Sequence, residues 1–527
     1  MSENYQTIIG LEIHVELGTK SKMFCRCQNP TSADFVESRD NPNSFVCPIC
    51  LGHPGTLPVA NKEAIARTIK VGLALNSEIA EFTKFDRKHY FYPDLPKGYQ
   101  ISQYDMPLVK GGEIEITRKD GSVFKVRLIR IHLEEDAGKL VHPEGSQASL
   151  VDLNRAGVPL MEIVTEPDIT SAEDARSFLQ ELRLLMRYLG VSDADMEKGQ
   201  LRCDANVNIE VRSQKSLPKA DQPLAEEVSS SDSQESIRTP ITEIKNLNSF
   251  RMVERALSVE AERQFQEWTD GGAICQRKNK ITVGWNDAIG KIVPQREKEE
   301  ANDYRYFPEP DLPPIKIEVR SQKSEVSSNR DRSRFVLAEG NPGEIRISEE
   351  DLPELPASRR KRYLDLSLSS ADADTLVTNR EKGDYFDLVA SKEENPETVK
   401  KIASIIINDL LDISIDPENL RKFAELLISG EISSKIGKEL LSSMMQEDKS
   451  PEIIMEEKGW KQLNDQSEIE SILDKVIADN SAIVADYQSG KVAAIGFLIG
   501  AVMKASGGQA NPKVVKEMLE IKLKVKN

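Results

Sequence analysis

No apolar run in this chain reaches the roughly 20 residues that a membrane-spanning helix needs. The start, Met1-Ser-Glu-Asn-Tyr5, lacks the basic-then-apolar layout of a secretory signal. A cytoplasmic protein is therefore expected. Positive charge is also short: 70 Lys and Arg stand against 87 Asp and Glu, leaving a net charge of −17. That balance excludes a surface that grips a phosphate backbone everywhere by electrostatics. Nor is there a Gly-x-x-x-x-Gly-Lys-Ser/Thr loop, so any nucleoside triphosphate would have to lie on a sheet rather than in a P-loop.

What is present suits a globular protein of several parts. Hydrophobic residues make up 39%, and 527 residues exceed one hydrophobic core, which predicts about three units. Against the acidic whole, the stretch from Gly490 to Asn527 holds seven Lys, no Arg, two Glu and no Asp, a local balance of +5. This C-terminal stretch is the candidate for an anionic partner.

Four of the six cysteines, Cys25, Cys27, Cys47 and Cys50, lie close together as Cys-x-Cys and Cys-Pro-Ile-Cys. In a reducing compartment that layout predicts structural Zn²⁺ rather than disulfides. Cys203 alternates with Leu201 and Ala205 on the apolar side of a predicted strand, and Cys275 has no partner nearby; neither reads as a nucleophile.

The segment Gly10-Leu-Glu-Ile-His-Val-Glu-Leu17 alternates strictly. As a strand it points Leu11, Ile13, Val15 and Leu17 one way and Glu12, His14 and Glu16 the other. Carboxylate, imidazole, carboxylate on one face supplies the donors a divalent cation takes. Further polar clusters occur at Phe85–Asp94, His132–Lys139, Arg202–Asn208 and Glu243–Asn246. Alternation lines up Arg202, Asp204, Asn206 and Asn208 on one face, and Glu243 with Lys245 on another. Any one cluster reads as a surface ion-pair network. Together they supply what phosphoryl transfer needs: carboxylates to hold Mg²⁺, and Lys or Arg to steady the transferring group.

Short alternating runs such as Glu113–Thr117, Phe124–Arg130 and Ala205–Val211 predict a mainly antiparallel sheet through the first three hundred residues. Helices are expected at Lys62–Leu75, Ser171–Leu189 and Ser249–Trp268. Between Arg212 and Arg238 the pattern gives way to Ser, Gln, Glu, Lys and Pro, which reads as a mobile insertion. The Pro-dense stretch Phe307–Ile315 reads as a rigid linker. Helical periodicity takes over beyond about Ile347, with Pro356–Leu366, Glu397–Leu411, Asn419–Ile428 and Ser433–Gln446, then a small-residue-rich helix and a final amphipathic helix. The class is α+β, with expected domains 1–310, 311–450 including the linker, and 451–527.

Several of these motifs resemble one family closely. Gly10–Leu17, Asp86–Gln103, His132–Lys139, Asn154–Asp168 and Asp303–Asp311 are similar to the corresponding runs of the B subunits of aspartyl/glutamyl-tRNA(Asn/Gln) amidotransferases, and the likeness covers nearly the whole chain. The resemblance implies a cradle domain like the glutamine synthetase fold, a helical domain and a tail that grips tRNA. It implies a reaction too: ATP phosphorylates the side-chain carboxylate of mischarged Glu-tRNA(Gln) or Asp-tRNA(Asn), and ammonia displaces phosphate. A carboxylate is a poor electrophile, so activation must precede attack.

By matching motif, the resemblance gives Glu12, His14, Glu135 and Glu243 as Mg²⁺ ligands, with Asp204 close by and Lys88 neutralising phosphate. Arg87, Arg202, Asn206 and Lys245 complete the expected nucleotide-binding set. Alternation leaves open whether Glu134 or Glu135 turns inward; only the family pattern favours Glu135. Zinc would then shape the fold and take no part in catalysis. No Gly-Ser-Ser-rich amidase signature or Cys-His glutaminase pair is found, so the nitrogen must come from another chain. In the family that chain is an amidase A subunit, tied on by a small C subunit. Two competing readings are a zinc-stabilised tRNA-binding scaffold without ATP turnover and a ligase acting on a free amino acid.

Overall fold

The computed structural model describes residues 5–32, 41–118, 120–143, 145–212, 236–270, 280–294, 304–322, 332–337, 352–447, 449–460, 466–489, 491, 493–506, 510 and 512–523. Contacts divide the chain into two compact units, 1–356 and 357–527.

The first unit is built on an eleven-stranded mixed sheet. At its centre is β1 (Tyr5–Glu16), with β4 (Val123–Glu135), β5 (Pro159–Thr165), β6 (Leu201–Arg212), β7 (Thr242–Leu247) and β8 (Ile281–Asn286) around it. They lie in the order β8-β7-β6-β1-β5-β4. All neighbours in that series are antiparallel except β7 and β8, which run parallel. The helix α3 (Phe250–Thr269) joins that one pair, because parallel strands need a crossover.

Alternation separates the two faces of the sheet. Ile13, Val15, Ile131, Leu133, Met161 and Ile163 are all fully buried in a continuous core. Side chains of α1 (Lys62–Ala74), α2 (Ala172–Tyr188) and α3 join that core. Each helix begins where the sequence predicts: Asn61, Ser171 and Ser249 accept hydrogen bonds from the first-turn amides.

A three-stranded sheet of β2 (Asp86–His89), β3 (Tyr99–Ser102) and β9 (Phe307–Pro308) sits beside β4. Here the structure corrects the expected linker. Phe307 pairs with Arg87 and Pro308 with Asp86, and β10 (Ile315–Gln322) pairs with Phe82–Thr83 and Arg332–Leu337. Proline lacks a ladder donor, yet a two-residue edge strand tolerates it. The first unit thus runs past 310 to Pro356. Most of the insertion, 213–235, lies outside the described residues, as do Cys275 and 338–351; Ser236–Arg238 returns as a short strand on β6.

From Pro356 onward the described elements are all helices, among them Pro396–Asn408, Pro417–Ser429 and Ser434–Gln446. The last four, from Gln466 to Lys522, close around their own core of Ile469, Leu473, Leu498, Val502, Val515 and Leu519. Among the described residues no helix is long and apolar enough to cross a membrane.

Candidate active site and thiol centre

The polar face of β1 and its neighbours carries the site. His14 stands opposite Arg202 on β6 and Glu162 on β5, and Glu162 stands opposite His132 on β4. Side chains directly across an antiparallel pair share a face, so register alone gathers them. The Nε2 atom of His14 lies 3.4 Å from Glu162 and 3.6 Å from Glu134. Nε2 of His132 lies 3.3 Å from the same Glu162 carboxylate. His14, Glu134 and Glu162 offer three donor atoms within 4.8 Å of one another, a spacing that suits a divalent cation. Ser102 on β3 donates to Glu134 at 3.0 Å and orients it.

Above this group β2 delivers Lys88. Burial works against its charge, but its neighbours, Glu134 first, then Tyr306 and Glu162, outweigh it and hold Lys88 above the usual lysine range. Its ammonium lies 5.2 Å from the ring of Tyr304. Burial likewise opposes charge on Glu162, yet His132 and His14 more than offset it and hold that carboxyl well below its ordinary value. His14 moves the other way: burial pulls it down, and Glu162 and Glu134 raise it on balance.

The face continues in both directions. Toward β7, Asn206 donates to Glu12 at 2.9 Å, Lys245 binds Asp204 at 2.6 Å, and Thr282 donates to Glu243 at 2.7 Å. At the end of β1, Arg202 pairs with Asp136 and lies 3.6 Å from Glu16. Burial and the neighbouring Asp136 push Glu16 well above the normal carboxylate range.

Residues 7–323 match the family model described as the GatB/GatE catalytic domain, and residues 385–523 match the GatB domain model. The B subunit of the aspartyl/glutamyl-tRNA(Asn/Gln) amidotransferase of Carboxydothermus hydrogenoformans is 44% identical over 535 residues, covering 98% of this chain and 99% of that one. Its counterpart in Persephonella marina is 44% identical over 533 residues, covering 99% and 100%. That of Thermomicrobium roseum is 42% identical over 531 residues, covering 98% of each. The chain belongs to the amidotransferase B-subunit family.

For this family member the geometry brings only part of the expected set together. Only His14 of the four falls in the three-donor cluster. Glu12 sits one pair along β1 with Asn206, and Glu243 stands two strands away, held by Thr282 and 3.4 Å from Lys245. Glu135 is turned to the opposite side, paired with Lys97 and accepting from the Ile101 amide at 2.9 Å. The neighbour that lies in the three-donor cluster is Glu134, which shares parity with His132, while Glu135 shares parity with the core residues Ile131 and Leu133. Arg87 is engaged as well: Glu309 binds it at 2.7 and 2.8 Å, and it stacks over Tyr99 at 4.3 Å. Glu162 and His132 were absent from the expected set. A single Glu inside the apolar run Pro159-Leu-Met-Glu-Ile-Val164, only 7% exposed, was the signal that could have found the first.

The four N-terminal cysteines do converge. Their sulfurs lie within 4.8 Å of one another, with Cys27 4.0 Å and Cys47 3.9 Å from Cys50. Four thiolates about 2.3 Å from one zinc would stand roughly 3.8 Å apart, so the spacing fits a tetrahedral centre. A hydrogen bond from Cys25 lowers the Cys50 thiol to about 5, against the effect of burial. Cys203, by contrast, is fully buried and pushed far up by desolvation, as an inert core thiol should be.

Proposed function

We propose that this chain activates and amidates the side-chain carboxylate of mischarged Glu-tRNA(Gln), Asp-tRNA(Asn) or both, using ATP and ammonia delivered by a glutaminase partner. The observation that carries this reading is the gathering of His14, Glu134 and Glu162 on one sheet face, with half-buried Lys88 of the neighbouring small sheet close enough for Glu134 and Glu162 to favour its charge. His14, Glu134 and Glu162 would hold Mg²⁺, with Glu12 one pair away on the same face. When bound, the ion supplies neutralisation of phosphate oxygens. Lys88 steadies the transferring phosphoryl group, and Ser102 keeps Glu134 aimed at the cluster. Glu162, held ionised by two imidazoles, stays a ligand rather than an acid. The expected partners are an amidase A subunit, a small C subunit and the tRNA.

The test is phosphate release by the assembled enzyme on adding ATP and mischarged tRNA. Release that depends on the mischarged tRNA supports the reading. Tight tRNA binding without any release would leave a tRNA-binding scaffold.

Zinc is expected at the thiol centre. Metal analysis of protein purified under reducing, metal-replete conditions should return about one zinc per chain, and Cys47→Ser with Cys50→Ser should return none. Absence of zinc from the unmodified chain would refute this.

The tail is proposed to grip tRNA. Its basic half packs against a partly acidic one: Lys491 pairs with Asp486 at 2.9 Å and Lys522 with Asp474 at 2.5 Å. Because 469–523 form one core, the informative deletion removes everything after Trp460. That variant is expected to bind tRNA roughly tenfold more weakly and to lose about one unit or more of the log K against log salt slope. Filter binding at several salt concentrations measures both, and unchanged affinity would place the grip elsewhere.

A further inference from the structure

Lys22 is among the largest fully buried side chains of the protein, only 1% exposed. Its ammonium donates to the Cys50 sulfur at 3.9 Å and to the Leu153 carbonyl at 3.4 Å. A carbonyl offers only a partial charge, so of these two partners only the sulfur can set a full negative charge against the buried cation. Four thiolates around one Zn²⁺ carry a net charge of 2−, and a single ammonium in contact reduces it to 1−.

The backbone around Lys22 belongs to the same construction. Its amide donates to the Cys27 carbonyl at 3.0 Å, closing the turn that presents Cys25 and Cys27, and the next amide, of Met23, donates to the Gly157 carbonyl at 2.7 Å. Gly157 has a φ of +84°, and a Cβ there would stand 3.5 Å from that of Cys50 and 3.6 Å from Cδ of Lys22. The loop from Leu153 to Gly157 therefore rests directly on the thiol centre. The same loop carries Arg155, which lies 3.5 Å from Asp136, and Asp136 in turn binds Arg202 opposite His14.

We infer that Lys22 is the counter-cation of the four-thiolate centre: it sets how tightly the centre holds zinc and ties it to the loop that braces Asp136 and Arg202. The inference rests on zinc binding by the four cysteines, and the experiment separates the two claims. Zinc affinity of the full chain is measured by competition with a chromophoric chelator for the unmodified protein, Lys22→Met and Lys22→Gln. The visible spectrum after Co²⁺ substitution reports the sulfur ligands in each.

An unmodified chain that takes up no zinc sinks the zinc assignment itself. Where it does bind, both substitutions are expected to weaken zinc by about 10- to 100-fold, as removal of a partner behind a metal ligand does elsewhere. The cobalt spectrum should still report four sulfur ligands, with its charge-transfer bands moved to lower energy because the sulfurs have lost a hydrogen-bonded cation. Lys22→Gln keeps a donor and removes only the charge, so it decides the matter if Lys22→Met does not fold. Zinc affinity within about twofold of the unmodified chain, with only the melting temperature lowered, would make Lys22 a packing residue and overturn the inference.

Discussion

Glu134→Gln and His14→Ala are each expected to lower mischarged-tRNA-dependent ATP turnover by about a thousandfold or more, several kcal/mol of transition-state stabilisation. Both residues belong to the three-donor cluster near Lys88, so on the proposed function either change would remove a Mg²⁺ ligand. Affinity for tRNA should stay within about twofold, because these side chains address the reacting groups and not the tRNA body. Glu135→Gln is the control. Its carboxylate is committed to Lys97 and the Ile101 amide on the other side of the strand, so phosphate release should survive that change. Single-turnover release of labelled phosphate distinguishes the two neighbours. Full activity of Glu134→Gln would remove the cluster from the mechanism.

With ATP, Mg²⁺ and Glu-tRNA(Gln), the chain alone is expected to form Gln-tRNA(Gln) from ammonia and none above background from glutamine. Of the cysteines described, Cys203 is sealed in the core, and the other four face one another in the thiol centre. Neither arrangement provides a nucleophile beside a base for opening an amide. At neutral pH ammonia is mostly ammonium, which does not attack, so a partner that delivers the free base raises the rate. Adding an amidase A subunit with its small companion should restore glutamine use. Substituting the nucleophilic serine of that partner should abolish it again while sparing ammonia. Robust product from glutamine alone, in ammonia-free solution, would reveal a glutaminase centre within this chain.

Much of the site was legible in the sequence because a strand has a period of two. Glu12, His14 and Glu16 fell on one face by alternation, and Ser171 and Ser249 marked where two of the helices start. The same period puts Glu134 and Glu135 on opposite faces, with Glu135 in step with the core residues Ile131 and Leu133. The family pattern favoured Glu135, the neighbour that the strand turns away from the cluster. The Pro-dense stretch misled for a different reason: composition reports what a segment cannot do alone, and Phe307–Pro308 borrows its pairing from Asp86–His89, more than two hundred residues away.

By itself the sequence determined the family, the α+β class, the pairing of two Cys motifs and which residues of each strand are polar. These are local properties, fixed by residue type and spacing along one element. Which polar residues meet was decided by tertiary structure. Antiparallel register set His14 against Glu162 and Glu162 against His132, and the packing of the β2–β3 sheet beside β4 brought Lys88 and Ser102 to Glu134. It also committed Arg87 to Glu309 and buried Lys22 against Cys50. A charged side chain's partner depends on which strand lies next to its own, and register and sheet order are settled by the whole core rather than by any one segment.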